Sequence, residues 1–204
     1  MTSDRELLRA WSAGDREAGN RLFQRHFDGI FRFFYAKTQA GVDDLVQRTF
    51  LGLVERADRL PDDVEIRPYL FGIARKLLYR SFRERCRDGR YFDALETSVA
   101  DLGDSPSVLA DRREQVRLLL SGLQAIPVEL QIVLELYYWE EMAAPAIAAV
   151  LEIPEGTVRS RIRRAKERLR EALAARATSP AILESTIADI DGWARKLREE
   201  IGRT

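Results

Sequence analysis

PAIAAVLEIPEGTVRSRIRRAKERLR, residues 145–170, contains two helical segments and the corner between them. The first segment is short and apolar. Ala148, Leu151, Ile153 and Val158 are spaced to pack it against the second across a tight turn, as a helix-turn-helix requires. The second segment opens with Pro154-Glu155-Gly156-Thr157, where unpaired backbone N–H groups and the positive end of the helix dipole can receive a phosphate. Val158, Ile162, Ala165 and Leu169 form a core-facing stripe. Arg159, Ser160, Arg161, Arg163, Arg164 and Lys166 project elsewhere, a guanidinium comb suited to a major groove and its flanking phosphates. An isolated Arg-rich helix is more often a solvated surface helix with i,i+4 pairing, here to Glu167 and Glu171. The short helix and turn that precede this one favour the DNA-binding reading.

Outward from this stretch the periodicity is helical almost throughout. Leu7, Leu8 and Trp11 follow the candidate caps Ser3 and Asp4. Leu22, Phe23, His26, Phe27, Ile30, Phe31 and Phe34 recur at spacings of three and four and give a wide aromatic face. Val42 to Val54 and Tyr69 to Phe82 repeat the pattern. Further helices are expected at 111–125, 127–138, 144–151 and 155–175, and no window alternates as a strand. Ser179 as N-cap and Pro180 at the first helical position start a last helix lined by Leu183, Ile187, Ile190, Trp193, Leu197 and Ile201. Residues 87–112, with Gly89, Gly103 and Pro106, read as an exposed linker. The expected fold is all-α: two helical domains joined by a flexible linker, the second a helix-turn-helix, plus a C-terminal extra helix. The divisions fall at 1–88, 89–110, 111–176 and 177–204.

The 204 residues carry 33 Lys and Arg against 33 Asp and Glu, so no global charge draws the chain to nucleic acid. The charge is nevertheless sorted along the sequence. Residues 40–66 carry a net of −4, 67–90 a net of +6, 91–114 a net of −4 and 155–176 a net of +5. Two basic segments on separate helical units suggest two polyanion contacts. One Cys (Cys86) and one His (His26) exclude an intrachain disulfide and a Cys/His zinc site within one chain. No cofactor-binding motif is visible: there is no nucleotide-binding Gly loop, metal cluster or nucleophile motif, so an enzyme carries little weight. No apolar run is long enough to span a membrane and no secretory leader is evident, so a cytoplasmic protein is expected.

The segment IPEGTVRSRIRRAKERLRE (153–171), after LQAIPVELQIVLELYYWE (123–140), resembles the C-terminal DNA-binding domain of bacterial RNA polymerase sigma factors, most of all the extracytoplasmic-function (ECF) subgroup. Upstream, DDLVQRTFLGLVERADRL (43–60) followed by IRPYLFGIARKLLYRSFRER (66–85) is similar to that family's promoter-melting domain. The likeness covers about 5–86 and 108–175. It rests on two distinct motifs in the family's order.

This resemblance implies a protein that binds core RNA polymerase at its clamp coiled coil and flap, reads the −10 and −35 promoter elements and captures melted DNA. The clamp-facing positions would be Asp43, Asp44, Gln47, Arg48, Leu51 and Val54. Arg48 departs from the family, where an acid is frequent. The −10 DNA would meet Leu60, Arg67, Tyr69, Arg75, Lys76, Tyr79, Arg80 and Arg83, since opened DNA needs rings for bases and cations for phosphates. The −35 duplex would meet Thr157, Arg159, Ser160, Arg161, Arg163, Arg164 and Lys166, with Arg159 and Ser160 at base edges and the other cations on phosphates. Glu152 stands at a turn where relatives frequently carry Gly. The acidic linker would thread the polymerase's RNA exit path. Residues 178–204 exceed the minimal family architecture. Their apolar stripe either docks on the chain itself or meets a helical partner such as an anti-sigma factor. The alternative function is a stand-alone helix-turn-helix regulator that binds duplex operator DNA without polymerase.

Overall fold

The first helix starts where its capping chemistry permits. Ser3 N–H and Oγ donate to the Glu6 carboxylate at 2.7 and 3.0 Å while the Glu6 N–H donates to Ser3 Oγ, a capping box that opens α1 (Asp4–Ser12). Asp15 caps α2 (Arg16–Tyr35) by accepting from the N–H groups of Glu17 and Ala18. α3 (Val42–Val54) and α4 (Ile66–Arg85) complete the N-terminal unit. The second unit comprises α5 (Glu114–Gln124), α6 (Val128–Tyr138), α7 (Ala144–Leu151) and α8 (Glu155–Ala174), with α9 (Pro180–Ala188) after it. This computed structural model describes residues 2–38, 41–86, 91–103 and 114–188. Among them there is no strand beyond an isolated bridge between Ser98 and Pro127.

The sequence periodicity places these helices well, and burial follows the apolar stripes. Leu45, Val46, Phe50 and Leu53 of α3 turn inward, as do Leu70, Ala74, Leu78 and Phe82 of α4. Two clusters result. The smaller joins Leu119, Leu123 and Leu134 to Ala165, Leu169 and Leu173 and lies within the second unit, reached from the first by Ala36 and Tyr35. The larger crosses the boundary: Leu70, Phe71, Ala74 and Leu78 of α4 share a core with Ile147, Val150 and Leu151 of α7 and Val158 of α8. The two helical units are therefore packed directly on each other.

The linker departs from the exposed strap expected of its composition. Residues 91–103 lie against both units. Phe92, 7% exposed, inserts edge-on against the rings of Tyr79 and Phe82 at 5.5 and 5.4 Å, and Val99 is fully buried. The carbonyls of Thr97 and Ala94 accept from the N–H groups of Val128 and Glu129, supplying two partners for the otherwise open start of α6. Two apolar side chains and two backbone bonds hold the strap where charge alone would leave it in water. The expected linker residues 87–90 and 104–112 lie outside the described residues.

At the C-terminal end, Ile182 N–H donates to Ser179 Oγ at 3.3 Å, the expected cap. Ile182 and Leu183 pack on the smaller cluster, so the start of the tail docks on its own chain. Of the expected stripe, Ile187 is described for its backbone alone, and Ile190, Trp193, Leu197 and Ile201 fall outside the described residues.

Candidate nucleic-acid interface

The helix-turn-helix corner is built on Glu152. Its φ of 57° and ψ of 43° place it in the left-handed region, where a side chain costs roughly 1 kcal/mol that glycine avoids. Pro145 sits in the first turn of α7, where its missing N–H leaves no bond unmade. α8 then starts at Glu155 and turns Val158, Ala165, Leu169 and Leu173 into the protein. Arg159, Ser160, Arg163 and Arg164 are exposed on the remaining surface. Arg159 pairs with Glu155 one turn earlier at 2.6 Å, and Ser160 Oγ donates to the Thr157 carbonyl at 2.9 Å. Ser160, Arg163 and Arg164, with Thr157 and the strap residue Leu95, line a groove of about 670 Å³, which Arg159 does not border. Arg161 and Lys166 lie differently from the expected comb. Arg161 turns inward and donates to the Glu129 carboxylate, and Lys166 sits over the rings of Tyr137 and Tyr138 at 5.2 and 5.0 Å.

On α3 the outward face is as expected. Asp43, Asp44, Gln47, Arg48 and Leu51 are exposed, with Leu51 half open to solvent. Arg48 donates to Asp44 at 3.3 Å, an i,i+4 pair that tempers the reversed charge on this face. Val54 differs: it is half-buried and packs on the core, because the last turn of α3 rolls it under the helix. Beside Leu51, Trp11, Phe23, Phe27 and Phe50 floor a largely apolar groove.

The α4 residues fall into two groups. Lys76, Arg80 and Arg83 are exposed and, with half-buried Tyr69, border a groove of about 730 Å³ whose opposite wall is Pro145, Ala146 and Ala149 of α7. Arg80 is paired along its own helix with Glu84, whose carboxyl that bond pulls below the usual range. Arg67, Arg75 and Tyr79 face the second unit instead. Arg67 donates to Glu140 at 2.6 Å. Tyr79 donates to Glu129, and burial first, then the Glu129 charge, hold its phenol above the ordinary range. Arg75 reaches Glu152 at 3.3 Å and lies 3.9 Å from Glu129. Leu60 is half-buried on the core, and its carbonyl accepts from Arg5.

Composition and motif reading missed the acids on the far side of this boundary. Glu129, Glu135 and Glu140 are all under a tenth exposed. Glu135 accepts from fully buried Lys37, and Glu140 from Arg32 at 3.2 Å as well as from Arg67. Burial drives the Lys37 ammonium down and the Glu135 carboxyl up from their ordinary values, each against the pull of the other's charge. One signal for these acids was available. VELQIVLELYY has apolar residues all round the helix, so its acids had no solvent face to occupy.

Comparison with known proteins agrees with this architecture. Residues 22–87 match the family described as Sigma-70 region 2, and residues 117–169 match that described as Sigma-70, region 4. The ECF RNA polymerase sigma factor SigM of Mycobacterium tuberculosis is 31% identical over 172 residues, covering 82% of this chain and 83% of that protein. The probable RNA polymerase sigma factor RfaY of Xanthomonas campestris pv. campestris is 30% identical over 186 residues, 86% of this chain, and the chain spans 46% of its length. The solved structure of CnrH in complex with the cytosolic domain of CnrY superposes with a TM-score of 0.56 at 25% identity, over 86% of this chain and all of that one. The sigma factor RpoE from Bartonella quintana, in complex with the anti-sigma factor NepR, shares the fold with a TM-score of 0.59 at 20% identity, over 76% and 96% of the two chains. With a relative above 30% identity matched over more than four fifths of both chains, and both regional matches in order, this chain belongs to the ECF group of sigma-70 RNA polymerase sigma factors.

Proposed function

We propose that the chain binds core RNA polymerase, recognises the −10 and −35 elements and directs transcription initiation from within the cytoplasm. The observation that carries this reading is α8. A helix buried along Val158, Ala165 and Leu169 presents Arg159, Ser160, Arg163 and Arg164 to solvent, directly after a short helix and a left-handed corner. Arg159 and Ser160 contact base edges of the −35 duplex, while Thr157, Arg163 and Arg164 hold its phosphates. Arg161 and Lys166 join them once released from Glu129 and the Tyr137–Tyr138 pair.

Asp43, Asp44, Gln47, Arg48 and Leu51 form the polymerase-docking face, with Val54 supporting it from below. Arg80 and Arg83 neutralise the phosphates of the opened −10 segment, joined by Lys76 once it leaves Glu152, and Tyr69 offers a ring to an unstacked base. Arg67, Arg75 and Tyr79 join this surface when their acidic partners withdraw. Strand opening draws on binding energy, and the chain makes and breaks no bond. The working division is 1–88 for polymerase and −10 contacts, 89–110 for the strap, 111–176 for −35 contacts and 177–204 for the extension. An anti-sigma factor, as NepR is to the solved RpoE relative, is a natural further partner.

Footprinting on promoter fragments tests the proposal against a stand-alone regulator. Protection over both elements is expected only when core polymerase and the chain are present together. A palindromic footprint from the chain alone would instead establish an operator-binding regulator.

A further inference from the structure

The groove between α4 and α7 is more apolar than a nucleic-acid track needs. Phosphates call for cations, and opened bases for a ring to stack on. Here Tyr69, Ile73 and Leu77, one helical turn apart on α4, and Pro145, Ala146 and Ala149 of α7 wall a space of about 730 Å³. Gly72 also borders it, and a Cβ added there would meet nothing nearer than the Val150 carbonyl at 3.9 Å. Sites that bury small organic molecules occupy ~300–1,000 Å³ and share this make-up of mostly apolar walls with a few placed polar groups. The charged lining is sorted along α4. Asp63 and Glu65 lie at its start and Lys76, Arg80 and Arg83 in its second half. At about 1.5 Å per residue, roughly 22 Å separates Glu65 from Arg80 along the helix. Two acids stand near the cationic end. Glu152 is already held by Lys76 at 2.6 Å and Arg75 at 3.3 Å. Glu84 pairs with Arg80 at 2.8 Å between exposed side chains, a weak bond that another anion can replace. Arg83 makes no hydrogen bond or ion pair among the described residues. Arg56, just after α3, adds a further cation to the lining.

We propose that this groove binds a small amphipathic organic anion. An apolar body roughly 12 Å long, the span from Tyr69 to Leu77 along α4, lies between the two walls, and its carboxylate rests on Arg80 and Arg83. The guanidinium groups at that end select the sign of the head group, and two planar forks suit a carboxylate. The walls select the body: a bare inorganic ion would bury no apolar surface against them. Arg80 and Arg83 are also assigned to the opened −10 strand, so ligand and strand exclude each other there. That consequence, unlike the binding itself, rests on the promoter reading of α4.

The test titrates decanoate into the full chain by calorimetry, below the concentration at which decanoate self-associates, with decyltrimethylammonium as the cationic counterpart. Ala149→Phe fills the groove from an exposed position on α7 and changes no charge. Arg83→Glu reverses the head-group site from an exposed position on α4, outside either core. The wild type should bind decanoate saturably at one site per chain, and the cationic counterpart should show no saturation. At unchanged helix content, each variant should bind decanoate at least about tenfold more weakly. Vesicles of phosphatidylglycerol distinguish a free acid from a lipid surface, and the chain should not sediment with them. Absence of saturation, equal binding of the cation, affinity unmoved by either variant, or sedimentation with vesicles in place of decanoate binding would each overturn the proposal. With core polymerase, decanoate at about ten times its Kd should lower initiation by the wild type at least about twofold and leave that by Ala149→Phe unchanged. An equal loss in both would overturn the competition with DNA. Initiation without decanoate is scored separately, so failure of the sigma-factor reading would appear there and not in the calorimetry.

Discussion

Glu152 and His26 show what single positions demand. At the left-handed corner, Glu152 is retained by bonds to Lys76 and Arg75, and the Lys76 bond pulls its carboxyl below the usual range. At this exposure those bonds stabilise little. Glu152→Gly should therefore keep the stability to urea within about 1 kcal/mol of wild type, as relieved strain offsets lost bonds. Glu152→Val should lose about 1–3 kcal/mol, because a β-branched residue fits that backbone poorly. That this corner suits glycine was legible beforehand from the resemblance, since relatives frequently carry Gly at this turn. The ion pairs were not, because their partners lie more than seventy residues away.

His26 is buried against Asp4, with Nε2 2.7 Å from Oδ2. Desolvation lowers its pKa below 6.5, outweighing the opposing pull of Asp4. A depressed folded value means the unfolded chain binds the proton first. The imidazole's contribution is then fully present above about pH 6.5 and is lost as pH falls through the folded value. As the only histidine in the chain, it gives one imidazole signal to follow by NMR. The midpoint should lie below 6.5, and His26→Gln should flatten the decline in unfolding free energy between about pH 7 and 5.

Among the elements, α6 and α8 contrast in how openly the sequence displays their roles. α8 has a narrow apolar stripe and a wide cationic surface, so its burial follows from spacing, and the −35 role proposed for it rests on that surface together with the family resemblance. Arg159→Ala should cost about 1–3 kcal/mol of promoter affinity and relax preference at one base position. Arg163→Ala should weaken all sequences alike and reduce the salt slope by roughly one. Binding isotherms at several salt concentrations separate the two cases.

α6 conceals its role. Its acids read as surface residues because carboxylates are rarely buried. Their counter-charges, Lys37 among them, sit 98 residues away in the case of Glu135. Lys37→Met should destabilise the chain by about 3–5 kcal/mol by leaving Glu135 buried and unpaired, whereas adding Glu135→Leu should recover much of that loss. Urea unfolding of the single and double variants measures both. The strap was missed because the acids, Ser and Gly of its stretch outweighed a sparse apolar repeat: Phe92, Leu95, Val99 and Leu102 recur at spacings of three and four, and Phe92 and Val99 are buried.

For the whole molecule, helices and their order were legible because nearly all carry their own apolar stripe, and α6, apolar all round, is bounded by Pro127 and the polar segment after Tyr138. The packing of one unit on the other was not, because it depends on complementary surfaces spread over distant segments. Those surfaces combine an α4–α7 apolar contact with ion pairs of Arg67 to Glu140, Lys76 to Glu152 and Arg161 to Glu129. The chain is thus a pair of promoter-reading surfaces whose productive spacing must come from a larger assembly.

Reconstituted initiation tests that most directly: purified core polymerase, with and without this chain, on DNA fragments from the same organism, with transcript 5′ ends mapped. Defined start sites should appear only with both components and should disappear with Asp44→Lys at unchanged helix content. Start sites that are the same with and without the chain, or initiation unaffected by Asp44→Lys, would contradict the account.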